Sequence, residues 1–282
     1  MYSLKVENAY GEVLELTGNK NYNITDIEGL TPQKADINTS EVAGVDGSVY
    51  NSARIGNRNI VITIVPEFPC DKNRVNIYNY FMLKSKCRIY YKNRIRDVYI
   101  DGYVEAVEGN PFSQKQEIQV SIICTNPYFI DEAETIEEES IKIGLFQFPT
   151  SLPKEGDAMT EVIEPGNLEI MNIGDVETGL IIELMAKGSI EEPVVQNKLT
   201  KEYIKVNCEM KEGDVLVINT IKKQKSIILK RDGKELNMIN YISENSKWLQ
   251  MRRGKNEFSY NCKSGMNSIS IKIRHTNLYV GV

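Results

Sequence analysis

The sequence predicts a mainly β protein built as two halves, and three observations carry that prediction. Short runs rich in Ile, Val, Tyr and Thr recur along the 282 residues. Turn signals such as Asp46-Gly47 and Asp232-Gly233 punctuate them, and Asp-Gly is a strong hairpin signal because turns that match strand twist need residues tolerating positive φ. Only Lys72 to Leu83 departs clearly from period 2. A chain of this length has room for two domains of ordinary size.

Composition excludes several function classes. Charged residues make up 26% and hydrophobic ones 41%, so disorder is not expected. The formal net charge of -5 gives none of the positive excess that phosphate backbones attract, so no specific nucleic-acid binding is expected. The N-terminus, MYSLKVENAYGEVLEL, alternates charged and apolar residues, and no run of about 18 apolar residues occurs. These features predict cytoplasmic synthesis without a signal peptide, and no membrane partner. Cys70, Cys87, Cys124, Cys208 and Cys262 include no Cys-x-x-Cys pair and read as free thiols. His275 is the only histidine, which excludes most zinc constellations. Phosphate-loop, HExxH, GxSxG and EF-hand patterns are absent from the sequence, so neither a cofactor nor an enzyme is expected.

Taken in order, Leu4 to Leu16 holds two strand pieces around Tyr10-Gly11. Ile24 to Ile64 then reads as strand, strand, turn at Asp46-Gly47, and strand. Asp36, Asn38 and Ser40 alternate with Ile37, Thr39 and Glu41, leaving one weakly apolar face. That pattern suits a partly exposed arm better than a core strand, and an arm can pair with a neighbouring subunit. The candidate oligomer-interface residues are therefore Ala35, Ile37, Thr39 and Val42 on the arm, with Ile60, Ile62 and Ile64 on the following strand as backbone partners. Asp71 is a credible N-cap, and Val75, Tyr78, Phe81 and Met82 predict an amphipathic helix covering a sheet. Strands follow at Arg88 to Tyr91, Val98 to Val107 and Gln116 to Thr125. The basic residues Lys84, Lys86, Arg88, Lys92, Arg94 and Arg96 read as a solvated hairpin face because Asp97 and Asp101 lie close by. Pro127 halts strand pairing and marks a boundary near Phe129.

Asp131 to Glu139 carries six carboxylates and no base, which predicts an extended, solvated linker. A glycoside hydrolase would need two carboxylates held rigidly at about 5 to 9.5 Å, which an exposed charge run does not supply. Phe146 to Pro153 reads as a Pro-bounded loop or edge segment. Beyond it, short strands from Asn167 to His275 with regular turns suggest a sandwich or jelly roll. The expected organisation is 1-130 as a first domain, 131-165 as a connecting segment and 166-282 as a second domain.

Several motifs add a family resemblance. They are the "I-x-G-L" segment, the "DG-x-x-Y-x-S-x-R" turn followed by "R-N-I-V-I-T-I", the Asn126-Pro127-Tyr128-Phe129 corner, the Arg231-Asp232-Gly233-Lys234 turn, the run Ser246 to Asn256, and the ending Tyr279-Val280-Gly281. With these the chain resembles siphophage-type distal tail proteins, the Dit family of tail-tip hubs. The resemblance implies a tail-tube-like β-sandwich or barrel with one helix at the N-terminus and a galectin-like β-sandwich at the C-terminus. It also implies a homo-hexameric ring at the distal end of the virion tail, with DNA passing through its lumen. The partners it implies are the tail tube protein and a tail-tip or tail-associated protein, with the tape measure protein as a further candidate. The alternative function is a carbohydrate-binding baseplate or surface adhesin module with Trp248, the only tryptophan, as glycan contact. A tryptophan just before a Gly254/Asn256 turn is more often core. His275-Thr276-Asn277 lacks the further Arg and Trp of a galectin sugar site, so His275 reads as a strand-end residue.

Overall fold

A computed structural model describes residues 2–113, 116–140 and 166–282. The chain divides into two compact units, Met1–Ala133 together with Leu278–Val282, and Glu134–Asn277. Both are mainly β, as the alternation predicts.

The first unit contains β1 (Ser3–Glu7), β2 (Val13–Glu15), β3 (Tyr22–Glu28), β4 (Ala35–Glu41), β5 (Ser48–Ile55), β6 (Arg58–Pro66), α1 (Cys70–Tyr80), β7 (Lys86–Lys92), β8 (Asp97–Gly109), β9 (Ile118–Cys124) and β10 (Phe129–Asp131). The main sheet runs β2-β1-β7-β8-β9-β6-β3, with every neighbouring pair antiparallel. Most of its inward positions are β-branched or leucine: Leu4, Val6, Ile60, Ile62, Ile64, Ile89, Ile100, Val120 and Ile122 are all buried. Each such side chain contributes roughly 1.5–3 kcal/mol by leaving water.

The helix corrects one expectation. Its buried face is Asn73 and Ile77, continued by Phe81 just past its end, whereas Val75, Tyr78 and Met82 are 48%, 36% and 39% exposed. A polar bond sets this phase: the buried Asn73 amide donates to the Glu67 carbonyl at 2.9 Å. Asp71 lies inside the first turn, and Pro69 occupies the N-cap without a side-chain capping bond.

The second unit contains β11 (Thr135–Ser140), β12 (Gly166–Asn172), β13 (Thr178–Gly179), β14 (Ile181–Ala186), β15 (Ile190–Glu191), β16 (Val194–Asn197), β17 (Tyr203–Lys205), β18 (Glu209–Met210), β19 (Val215–Asn219), β20 (Ser226–Arg231), β21 (Lys234–Asn237), β22 (Gln250–Met251), β23 (Gly254–Asn261) and β24 (Ile269–His275). A six-stranded sheet, β11-β24-β14-β19-β20-β21, and a four-stranded sheet, β12-β23-β16-β17, share one core. Ile182, Leu184, Ile218, Ile271 and Ile273 from the first meet Leu168, Ile170, Val195, Phe258 and Tyr260 from the second. This is a β-sandwich.

The acidic segment is not simply a linker. Residues 135–140 pair along the whole of β11 with β24, because basic side chains wait across the ladder: Lys272 lies 2.5 Å from Glu138, and Arg274 lies 3.5 Å from Glu134. The rest of the expected connecting segment, including Phe146 to Pro153, lies outside the described residues.

The C-terminal boundary also moves. After Asn277 the chain returns to the first unit as β25 (Leu278–Tyr279), which pairs with β10 through Phe129↔Tyr279 and Ile130↔Leu278. The sandwich is thus inserted between two antiparallel neighbours. Tyr279, 8% exposed, is part of the first unit's core. Truncation after Asn277 should therefore cost the first unit roughly 3–5 kcal/mol, the scale of losing a buried aromatic. A chain in which a short turn replaces Glu134–Asn277 should melt as the intact unit does. Unchanged denaturant midpoints for the truncated chain would count against this closure.

Candidate assembly interface

The stretch from Ile24 to Ile64 contains one strand more than its pattern suggests. Between β3 and β6, which are direct neighbours, the chain runs out as β4, rounds the loop Val42–Gly47 and returns as β5. Among the described residues this ribbon pairs only with itself. A slip between Asn38 and Thr39 leaves Asn51 as a bulge. The bulge rephases β5, so that Tyr50, Ala53 and Ile55 lie opposite Thr39, Ile37 and Ala35 on a single face. Ile37 is 64% and Tyr50 64% exposed, and Val42, Val45 and Val49 are also open to solvent. The opposite face is polar, with Asp36 paired to Arg54 and Asn38 beside Ser52.

A buried cation fixes the root of the ribbon. Arg58, the first residue of β6, is 1% exposed. Its Nε donates to the Pro127 carbonyl at 2.7 Å and its Nη2 to Val280 O at 2.7 Å. Nη1 donates to Thr31 O at 2.9 Å and also to Gly29 O. The guanidinium carbon sits 4.7 Å from the centre of the Phe129 ring. Burial lowers the guanidinium pKa from its ordinary value. The carbonyl dipoles and the ring face offset a desolvation that would otherwise cost several kcal/mol. Gly29, with φ +86°, lies against Asn59, whose carbonyl oxygen would be 2.1 Å from an added Cβ. Only glycine allows β3 to turn into the ribbon here. Val282 N–H donates to Leu30 O at 3.1 Å, so the chain's last residues brace the same root.

The residues singled out from sequence separate into two groups. Ala35, Ile37, Thr39 and Val42 are on the ribbon or its loop, with Ile37, Thr39 and Val42 exposed. Ile60, Ile62 and Ile64 are 1%, 0% and 0% exposed, and their strand is flanked by β9 on one side and β3 on the other. Both ladders of β6 are filled within the unit, so these isoleucines offer no free backbone edge and are corrected to core. β9, between β8 and β6, is likewise filled. Arg58 and β5 are the features that sequence reasoning missed. The one signal for Arg58 is a charged residue opening a β-branched run.

The other residues singled out from sequence have partners within their own units. Arg88 binds Asp101 through two bonds of 2.7 and 3.0 Å, Lys92 binds Asp97, and Arg96 lies 3.9 Å from the Tyr279 ring centre. Trp248 is half-buried against the sandwich core, with Lys225 Nζ 5.3 Å from its ring centre. The fully buried Asn256 explains the motif that follows. Its amide donates to Arg252 O at 2.7 Å and Gly254 O at 2.9 Å, and its oxygen accepts Arg252 N–H at 3.0 Å, closing the turn into β23. Among the described residues no group of three or more His, Cys, Asp or Glu could hold a metal ion. No described helix is long and apolar enough to cross a membrane.

Comparison with known proteins agrees with the motifs. Residues 173–279 match the family model of the siphovirus-type tail component, C-terminal domain. The Dit (gp 19.1) protein of SPP1, described as a paradigm of the hub adsorption apparatus in phages infecting Gram-positive bacteria, shares the fold at a TM-score of 0.70 and 12% identity, over 98% of each chain. A chain of the phage P2 baseplate in its activated, Ca-bound conformation gives a TM-score of 0.50 at 13% identity, again over 98% of each chain. The curated proteins include no match. Residues 173–279 thus resemble the siphovirus-type tail component, C-terminal domain, and the likeness in fold to the SPP1 Dit protein runs over 98% of the chain.

Two predictions follow from these side chains. Arg58→Met keeps the stem but removes every donor from the carbonyls it serves, and should destabilise the first unit by roughly 3–5 kcal/mol in urea unfolding. Arg58→Lys, with fewer donors, should recover only part of that loss. His275 is 3% exposed, and burial pushes its pKa below the ordinary 6.5, with Asn277 and the Met171 backbone acting in the opposite sense. The native chain thus resists a proton that the unfolded chain accepts. The stability is fully present above about pH 6.5 and is lost as pH falls through the lowered value. Because no other histidine exists, His275→Gln should flatten the pH dependence of the unfolding midpoint between pH 7 and 5.

Proposed function

We propose that the protein is a non-enzymatic structural hub of a phage, or phage-like, tail tip, in which the first units of six copies form a ring. The observation that carries this reading is the ribbon: a hairpin rooted at Arg58, with one apolar face that finds no cover among the described residues. A hairpin of two strands is marginal alone in water, and an apolar sheet face is stable only when buried against another element. A protruding element that docks on a different surface of the next copy makes a heterologous interface, which yields a ring when the rotation closes. On this reading the ring continues the tail tube, the galectin-like sandwich is carried with it, and tail-tip or baseplate proteins attach on its far side. The similarity to the Dit and baseplate folds supports the same location, the distal end of the virion tail.

Light-scattering mass and negative-stain imaging of the full chain test the proposal. The expected result is a closed ring with six times the 32.1 kDa chain mass. Ile37→Asp with Tyr50→Asp should reduce it to single chains without lowering the melting temperature, because both side chains are exposed. A wild-type protein that stays monomeric at high concentration would sink the ring.

A further inference from the structure

Charge is spread unevenly over the second unit. Residues 197–202, 221–225 and 247–255 hold nine basic side chains and one carboxylate, in a chain whose net charge is -5. Topology brings these stretches to one end of the sandwich. The first is the turn between β16 and β17, the second the turn between β19 and β20, and the third runs through β22 into β23. Hydrogen bonds tie them together: Gln250 Nε2 donates to Thr220 O at 3.0 Å, and Asn197 Nδ2 donates to Gln250 O at 3.5 Å.

Part of the positive charge is neutralised within the unit. Lys198, Lys222 and Lys255 pair with Glu257, Glu177 and Glu169, and Lys225 lies against the Trp248 ring. Lys201, Lys223, Lys247, Arg252 and Arg253 are exposed and have no ion-pair partner among the described residues. Two of them sit on strained backbone. Lys201 at φ +62° and Lys223 at φ +69° occupy left-handed positions of their turns, where sterics favour Gly or Asn. Packing does not explain lysine at either place, because both side chains are exposed.

We propose that this end of the sandwich binds a flexible phosphodiester polymer, polyol phosphate in chemistry and presented on a cell surface. The cell-surface origin rests on the tail-tip reading above, whereas the recognition of charge does not. Basic groups spread over two turns and a crossing segment exceed what one compact phosphate can neutralise, but a chain with one charge per repeat can follow them. A folded protein fits less well. Protein interfaces are depleted in Lys and are centred on desolvated aromatic anchors, and Leu199 is the one large apolar side chain exposed in these stretches. Nucleic acid would gain by stacking its bases on open rings, and the one ring in these stretches, Trp248, is half-buried with Lys225 against it.

Fluorescence anisotropy of labelled poly(glycerol phosphate) with the full-length chain tests the assignment. Neutralising about five phosphates should make binding roughly a hundredfold weaker at about 200 mM than at about 50 mM salt. Lys223→Glu with Arg252→Glu and Arg253→Glu should weaken binding by about tenfold or more, with an unchanged melting temperature. Lys201→Asn with Lys223→Asn should also weaken it while leaving the melting temperature unchanged or raised, since Asn relieves the left-handed backbone. Lys230→Glu with Lys234→Glu, at the far end of the β20–β21 hairpin, should leave binding as in the wild type. The proposal is overturned if the wild type fails to bind the polymer at the lower salt, or if the Lys230/Lys234 variant loses as much affinity as the triple variant. It is equally overturned if an oligothymidine of the same phosphate number binds about tenfold tighter than the polymer, which would make this a nucleic-acid surface. A wild type that binds the polymer but stays monomeric removes the ring alone, and one that forms the ring without binding removes this site alone.

Discussion

The first unit depends on a buried positive charge that has carbonyls for partners. Arg58 gathers carbonyl oxygens from the β3–β4 passage, the corner after β9 and the C-terminal tail, the last of these 222 residues away in sequence. A carboxylate would neutralise a guanidinium from a range of directions, but main-chain carbonyls do so only when their segments are correctly placed. The cost of desolvating the charge is therefore recovered in one arrangement of chain. The direction in which the ribbon leaves the sheet is set by that arrangement, because Gly29 and Thr31 in the β3–β4 passage and Arg58 at the start of β6 form its root.

What the sequence disclosed follows the range of the interactions involved. Period-2 alternation in β-branched residues identified β6, β9 and β24, since a buried face writes itself into consecutive residues. Asp232-Gly233 marked the turn between β20 and β21 for the same local reason. Strand identity did not reveal which ladders were filled, and so Ile60, Ile62 and Ile64 read as an interface when they are core. The bulge at Asn51 broke the alternation that would have exposed β5 as a strand. β11 read as a linker because the bases that neutralise it, Lys272 and Arg274, lie far along the chain. The phase of α1 was hidden because the bond from Asn73 to Glu67, not apolar spacing, chooses its buried face.

The titratable groups of the interior are shifted by burial and by close partners. Burial pushes the Cys87 and Cys124 thiols up to about 12 and Cys208 to about 11, so none is a thiolate near neutrality. The Asp214 carboxyl is held down by Arg231, which forks onto it, and by the Lys211 N–H. Burial keeps the thiols protonated, and Arg231 and the Lys211 N–H keep Asp214 ionised. The unsatisfied surface lies elsewhere, on the apolar face of the ribbon, the edge of β3 and the outward stripe of α1. Free energy of association is available on those surfaces.

The order of the chain constrains when that surface becomes competent. β10 and β25 are adjacent in the sheet, yet the entire sandwich lies between them in sequence. Until Leu278–Val282 exist, Arg58 lacks the Val280 carbonyl, Leu30 O lacks the Val282 N–H, and the core lacks Tyr279. A nascent first unit can pair its local strands early, because β3–β6 and β7–β8 are near neighbours in sequence, whereas closure at the root carries the longest loop in the molecule. The brace on the ribbon is contributed by residues that follow the sandwich in sequence. A chain that stops short of residue 278 has the ribbon sequence without the contacts that hold its root.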